Sequence, residues 1–268
     1  MIDMTNEHEM LQMQYVNLKK EFPKLFALKN DMVGKEEHIL TALYLTDIGQ
    51  KQHQKYCLTE EIKMIMQRIS LFQAYFNRNE LTDRVTIETK MEKQIAEYQQ
   101  KIDAEVKRIS LAKAFLKEEF LSVADAQKLK ELYRLIVKKL HPDINPVQTE
   151  QEKDLWAKAQ AAYKLSDLTT LNAILQTLEL TTSNTAVEPI DIKAQVAILE
   201  AHVFKLKELI ATLEKQFPFT YRYKLADDAW IAAEQQQLDA DIEALNIEKK
   251  KYSEYFLLLE EWKPGLLS

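Results

Sequence analysis

Residues 126–149 read AQKLKELYRLIVKKLHPDINPVQT, and their pattern predicts a helix followed by a loop. Apolar side chains recur in it three or four positions apart, which places them on one face of a helix. These apolar residues are Leu129, Leu132, Ile136 and Leu140. Lysine and arginine side chains lie mostly off that face, so the opposite side of the helix is basic and solvated. Pro142 disfavours helical geometry at His141, and the helix is therefore expected to end there.

A second helix is predicted after a short polar loop. Thr149 and Glu152 have the spacing of a capping box, in which each side chain satisfies a backbone N–H of the other residue. Trp156, Ala159 and Tyr163 follow on one side of this helix. The sequence therefore predicts two antiparallel helices joined by a loop that displays His-Pro-Asp.

These residues resemble the J-domain of Hsp40 (DnaJ-type) co-chaperones over residues 109–180. Tyr133-Arg134 stands in the aromatic-basic position of that family's second helix, and residues 138–143, KKLHPD, resemble its basic run into His-Pro-Asp. Asn145-Pro146 follows as it often does in the family. Residues 156–163, WAKAQAAY, are similar to the aromatic and alanine pattern of the family's third helix.

The resemblance implies a function and a set of site residues. The protein would bind a DnaK-type Hsp70 and stimulate its ATP hydrolysis, without being an enzyme itself and without a cofactor or metal. His141, Pro142 and Asp143 would trigger hydrolysis at the junction of the Hsp70 ATPase and substrate domains. The residues that would dock on an acidic Hsp70 surface are Lys130, Tyr133, Arg134, Lys138, Lys139 and Asn145. The flanking helices would recruit a client protein that the sequence does not identify.

The sequence also departs from the family pattern. Ile144 and Leu135 stand where the family usually has basic residues, and the usual Tyr-x-x-Leu-Gly opening of the first helix is missing. Residues 166–175 replace the usual charged fourth helix. Two alternatives stay open: a coiled-coil scaffold with a degenerate J-domain, and a specialised co-chaperone for iron–sulfur assembly.

Composition sets the fold class and limits the function. Three glycines and six prolines in 268 residues are too few for a protein built on hairpin turns or Gly-rich loops. The chain is rich in strong helix formers, so we expect an all-α fold in which the J-domain-like hairpin is embedded between long amphipathic and coiled-coil helices. The net charge of −6 argues against a general nucleic-acid binder.

Cysteine and histidine usage adds two further expectations. Cys57 is the single cysteine and cannot form an internal disulfide, which fits a reducing cytoplasm. The five histidines stand apart from Cys57, so no zinc-binding pattern is present. No apolar run is long enough to span a membrane.

The sequence divides into five consecutive segments. Residues 1–80 form an N-terminal helical region, with interruptions expected near Pro23 and Gly34. Residues 81–121 form a long helix whose end would serve as J-domain helix I. They either project as an arm or pack in a bundle, because periodicity does not separate the two. The remaining segments are the J-domain-like core 122–180, the polar linker 181–189 and the C-terminal helical hairpin 190–268.

The C-terminal segment has the clearest heptad pattern. Its first helix alternates apolar residues four and three apart, as in a coiled-coil seam: Ile192, Val196, Leu199, Val203, Leu206, Ile210, Leu213 and Phe217. Asp227 and Asp228 begin a second helix, whose apolar seam is interrupted by Gln235 and Lys249. These helices could close on each other, on residues 1–80, or on a second chain as a coiled-coil homodimer.

Overall fold

The computed structural model describes residues 2–78, 80, 84–117, 121–181 and 191–261, and every regular element among them is helical. The prediction of an all-α fold is confirmed. The α-helices are α1 Ile2–Asp31, α2 Glu37–Tyr44, α3 Gln50–Asn77, α4 Arg84–Phe115, α5 Val123–Leu140, α6 Glu150–Lys164, α7 Leu168–Thr181, α8 Ile192–Glu214 and α9 Asp228–Glu261. The shorter elements are π-helical turns at Met32–Glu36 and Leu45–Gly49 and 3-10 turns at Phe219–Tyr221 and Lys224–Ala226.

The chain divides into two compact units, and each unit joins stretches that are distant in sequence. The first unit comprises Met1–His38 and Glu119–Thr220, and it contains the His-Pro-Asp loop. The second unit comprises Ile39–Glu118 and Tyr221–Ser268.

Helix α5 is the central element of the first unit. It packs against α1, α6 and α7, while α8 packs against α1. The four apolar residues predicted to form one face of α5 are all buried in this core, as are Trp156, Ala159 and Tyr163 of α6. Burial of this shared apolar surface is the main force that holds the helices together.

The ends of these helices follow the capping chemistry of the sequence. The Ser122 hydroxyl accepts a hydrogen bond from the Asp125 backbone N–H at the start of α5. At the start of α6, the backbone N–H of Glu152 donates to the Thr149 hydroxyl, and the Thr149 N–H donates to the Glu152 carboxylate. The predicted capping box is thus confirmed.

Helix α1 does not end where the sequence indicated. It continues through Pro23 to Asp31, and Gly34 lies within a π-helical turn. A proline inside a helix removes one backbone hydrogen bond and introduces a clash. Phe22 and Phe26, on either side of Pro23, pack in the core of the first unit, and this tertiary packing offsets the loss.

The second unit is built around α3, which packs against α9, α4 and the π-helical turn at Leu45–Gly49. Both polar interruptions of the α9 seam have partners. The Lys249 ammonium lies 2.7 Å from the Glu61 carboxylate, and the Gln235 side chain donates to the Asp47 carbonyl at 2.7 Å. These contacts fix the register of α9 on α3.

The C-terminal seams are therefore covered within one chain. Val196, Leu199 and Val203 of α8 are buried in the core that contains α1. Leu238 and Ile242 of α9 are buried as well. Among the arrangements that the sequence allowed, packing on helices of the N-terminal 80 residues is the one observed.

Helix α4 differs from the expected helix in its end and in its packing. It ends at Phe115, not near residue 121. Ile109 and Ala112 pack against Ala42 and Leu45 in a core cluster of the second unit. The expectation that this end serves as J-domain helix I is therefore wrong, since α1 is the long helix that packs on α5. Packing of α4 on α3 favours the bundle over the projecting arm.

The linker predicted at residues 181–189 lies outside the described residues, apart from Thr181 at the end of α7. Among the helices that are described, none combines the length and the apolar character needed to cross a membrane.

Candidate functional site

The His-Pro-Asp loop begins at the C-terminus of α5. His141 is the cap residue, with extended backbone angles, and its N–H donates to the Val137 carbonyl at 2.9 Å. Its own carbonyl accepts hydrogen bonds from the N–H groups of Ile144 and Asn145, at 3.0 and 2.9 Å. The backbone of the loop is thus turned back on itself immediately after the helix.

The His141 side chain points into the core and is 8% exposed. Its ring meets those of Phe22, Phe26 and Trp156 edge-on, with centroid distances of 4.8, 4.4 and 5.1 Å. Burial disfavours the charged imidazolium and lowers the pKa of His141 to about 4, against a smaller opposing effect from Asp143. The ring is therefore neutral near pH 7.

The neutral ring orders the next two residues. His141 Nδ1 accepts a hydrogen bond from the Asp143 backbone N–H at 3.1 Å, so the ring carries its proton on Nε2. Pro142 is exposed and Asp143 is partly exposed at the surface of the loop. The Asp143 carboxylate lies 3.0 Å from Nδ1 of His202 on α8. The predicted trigger residues thus comprise one buried side chain and two that solvent can reach.

Asn145 and Gln148 close the C-terminus of α5. The Asn145 side-chain amide donates to the carbonyls of Lys138 and Lys139, at 3.1 and 2.7 Å. The Gln148 amide donates to the Leu140 carbonyl. Unpaired carbonyl groups at the end of a helix need such partners. The amide of Asn145, expected to dock a partner, therefore caps α5.

Tyr133 is a core residue and not a docking residue. Its side chain is 1% exposed and stacks on Tyr163 with ring centroids 3.9 Å apart. Its hydroxyl accepts a hydrogen bond from Asn30 at 3.2 Å, and burial raises the pKa of Tyr133 to about 12. The resemblance to the J-domain placed it among the docking residues, in the aromatic-basic position that it shares with Arg134. It lies instead beside the buried Leu132, at the edge of the apolar face of α5.

Lys130 is held in an internal ion pair. Its ammonium lies 2.7 Å from the carboxylate of Asp31, which is buried and also accepts a hydrogen bond from the Tyr163 hydroxyl. Burial and this bond raise the pKa of Tyr163. Lys35, in the π-helical turn, has its pKa lowered by burial despite the attraction of Asp31. Lys130 thus neutralises a buried acid within the first unit.

The remaining predicted docking residues form the accessible basic surface near the loop. Lys138 is exposed, and Lys139 and Arg134 are partly exposed. Within the residues that the structure describes, no carboxylate lies at ion-pair distance from these three side chains. Lys138 and Lys139 can therefore meet an anionic partner, whereas the Nε atom of Arg134 is buried and makes no hydrogen bond to the described residues.

Ile144 and Leu135, which stand where the family usually has basic residues, have different environments. Ile144 is 3% exposed and belongs to the core of the first unit, so a basic side chain would bury an unpaired charge there. Leu135 is 47% exposed on α5. Only Leu135 therefore changes the surface that a partner would meet.

Phe22, Phe26 and His202 contact the loop residues but were not predicted from the sequence to belong to the site. The four-residue spacing of the two phenylalanines indicates one helix face, but Pro23 between them predicted a helix end. His202 lies beside the α8 seam and belongs to no motif. No local pattern predicts its contact with Asp143, because this contact depends on how α8 packs.

No metal centre is indicated by geometry, since three or more His, Cys, Asp or Glu side chains do not converge in the part of the chain that is described. No protein-family model matches the chain, and neither a curated protein nor a solved structure shows significant similarity to it. The function is therefore inferred from the residues of the chain and their geometry.

Proposed function

We propose that the chain is a J-domain-type co-chaperone that binds a DnaK-type Hsp70 in the cytoplasm and stimulates its ATP hydrolysis. The observation that carries the proposal is the loop at the end of α5. His141 is buried and holds the Asp143 N–H, while Pro142 is exposed and Asp143 is partly exposed. A loop ordered before binding loses little conformational entropy when a partner engages it.

The basic surface next to the loop supports the same function. Arg134, Lys138 and Lys139 would steer α5 towards an acidic surface and orient the loop on it. Lys130 and Asn145 would contribute indirectly, through the Asp31 ion pair and the helix cap. Tyr133 would hold α5 against α6.

In this proposal the protein is not an enzyme and has no cofactor. The hydrolysed ATP is bound by the Hsp70, and the other helices of the chain would recruit a client. Since the two C-terminal seams are covered by α1 and α3, a homodimer would have to use other surfaces.

The alternative is a scaffold protein with a degenerate J-domain. One observation favours it: the Asp143 carboxylate lies against His202 of the same chain instead of being fully free for a partner. In that case the first unit would assemble partner proteins without activating an Hsp70.

Single-turnover ATP hydrolysis by a bacterial-type Hsp70 distinguishes the two functions. The wild-type chain should accelerate hydrolysis, and Asp143→Asn should reduce the rate to that of Hsp70 alone. Asp154→Asn is the matched control, because this acidic side chain is exposed on α6 and lies outside the His-Pro-Asp loop. Both variants should retain the helical circular dichroism of the wild type. Normal stimulation by Asp143→Asn would refute the trigger role, and no stimulation by the wild type would favour the scaffold.

A further inference from the structure

The Asp143 carboxylate is engaged from within the chain by a helix that the J-domain resemblance does not include. Its Oδ2 lies 3.0 Å from Nδ1 of His202, and the two side chains are 35% and 36% exposed. Nδ1 of His202 is itself shielded from solvent and makes no aligned hydrogen bond to any described residue. The contact with the Asp143 carboxylate is the polar contact that the structure gives this atom.

His202 is presented from a firmly held helix. Val196, Leu199 and Val203 of α8 are buried in the core of the first unit. On the surface of the same helix, the Lys207 ammonium lies 2.7 Å from the Glu21 carboxylate of α1. The position of His202 is thus set by the packing of α8 on α1.

The loop is also held by contacts other than the one between Asp143 and His202. Ile144, the residue after Asp143, is buried in the same core as the apolar residues of α8. The Asp143 backbone is held by the His141 ring. The backbone of Asp143 is consequently held in place beside His202 while both segments keep their packing.

We propose that α8 restrains the His-Pro-Asp loop, because His202 occupies the Asp143 carboxylate that a basic group of a partner would otherwise bind. This inference rests on the proposed function, and it assigns a regulatory role to a helix outside the J-domain-like hairpin. A polar contact between partly exposed side chains is weak, so a partner can displace it. The restraint should lower affinity for the partner without changing the rate of the bound complex.

The first test measures the loop without any partner. Hydrogen–deuterium exchange of the backbone amides at residues 143–145 and 147–148 is compared in the full-length wild type, His202→Ala and Lys205→Ala. Lys205 is exposed on α8 and serves as the matched control. Exchange should be several-fold faster in His202→Ala alone. Equal exchange in all three proteins would overturn the restraint.

The second test measures competition with the partner. The concentration that gives half-maximal stimulation of a bacterial-type Hsp70 should be about three-fold lower for His202→Ala, with an unchanged plateau, as expected for loss of a weak competing contact. His202→Gln keeps a polar side chain without the imidazole ring, and it should shift the same concentration in the same direction. An unchanged or higher concentration, or a lower plateau, would overturn the competitive role.

The two tests separate this inference from the proposed function. If exchange responds to His202→Ala but no form of the chain stimulates the Hsp70, the restraint on the loop stands. The proposed function and the competitive role then fail together. If stimulation is normal but neither test responds to the substitution, the proposed function stands and the restraint fails.

Discussion

At the scale of single residues, the imidazole of His141 links the core of the first unit to the loop that follows it. Three aromatic rings surround it, and one of its nitrogens accepts the Asp143 N–H. The interaction requires the neutral ring, because a protonated Nδ1 cannot accept a hydrogen bond. The order of the loop should therefore depend on pH.

Lowering the pH from 7 to 5 should destabilise the protein through His141. The pKa of this residue is about 4 in the folded chain and about 6.5 when exposed, so the unfolded chain binds a proton that the folded chain excludes. The contribution of His141 to the stability of the folded chain is fully present above about pH 6.5 and is lost as the pH falls towards 4. Between pH 7 and 5 it amounts to about 2 kcal/mol of unfolding free energy.

Urea denaturation at several pH values measures this effect. The unfolding free energy of His141→Gln should fall by about 2 kcal/mol less than that of the wild type over this interval, because glutamine does not titrate. Equal losses in the two proteins would show that proton uptake by His141 is not the cause.

Individual core residues were predictable from the sequence where a periodic pattern identified them. Leu129, Leu132 and Ile136 were predicted on one face of α5 and are buried. Tyr133 was misassigned, because a residue beside the apolar face can lie on either side of the burial boundary. Its burial depends on residues of other helices, among them Asn30 of α1 and Tyr163 of α6.

At the scale of helices, the C-terminus of α5 shows how local hydrogen bonds support the candidate site. The side-chain amide of Asn145 donates to two carbonyls of the last turn. The C-terminal end of a helix carries partial negative charge, which a donor stabilises and an anion destabilises.

Asn145→Ala should lower the unfolding free energy by about 1 kcal/mol, the usual contribution of such hydrogen bonds. Asn145→Asp should cost more, since a carboxylate cannot donate and would lie against carbonyl oxygens. Val147→Ala is the control, because this exposed side chain should contribute less than about 0.5 kcal/mol. Urea denaturation measures the order of stability of these variants. Equal stability of Asn145→Ala and Asn145→Asp would refute the capping role.

Helix boundaries were predictable where they depend on local chemistry. The starts of α5 and α6 follow Ser122 and Thr149, whose side chains bond to backbone groups three residues away. The course of α1 through Pro23 was not predictable, because the helix there depends on tertiary packing of Phe22 and Phe26.

At the scale of the whole molecule, the important contacts join residues that are far apart in sequence. The core of the first unit combines residues of α1, α5, α6, α7 and α8. The sequence predicted the apolar seam of α8 but left its partner open, since a heptad pattern describes a surface and not what covers it. Segments that are consecutive in sequence cannot describe these units, because each unit joins two stretches that are far apart in the chain.

The composition of that core predicts that α5 depends on α8 for its stability. Leu199 is buried in the first unit and Leu238 in the second. Leu199→Ala should remove about 2–5 kcal/mol from the first unit, through lost burial and the cavity left behind. Amide exchange in α5 should then accelerate, although Leu199 lies far from α5 in sequence.

The matched variant Leu238→Ala should accelerate exchange in α9, where this buried side chain lies, and in α3, the helix that packs against α9. Native-state hydrogen exchange of the two full-length variants compares the units directly. If Leu199→Ala leaves exchange in α5 unchanged, α8 does not stabilise the J-domain-like hairpin. The hairpin would then be stable without it, and α8 would act on the loop only through His202.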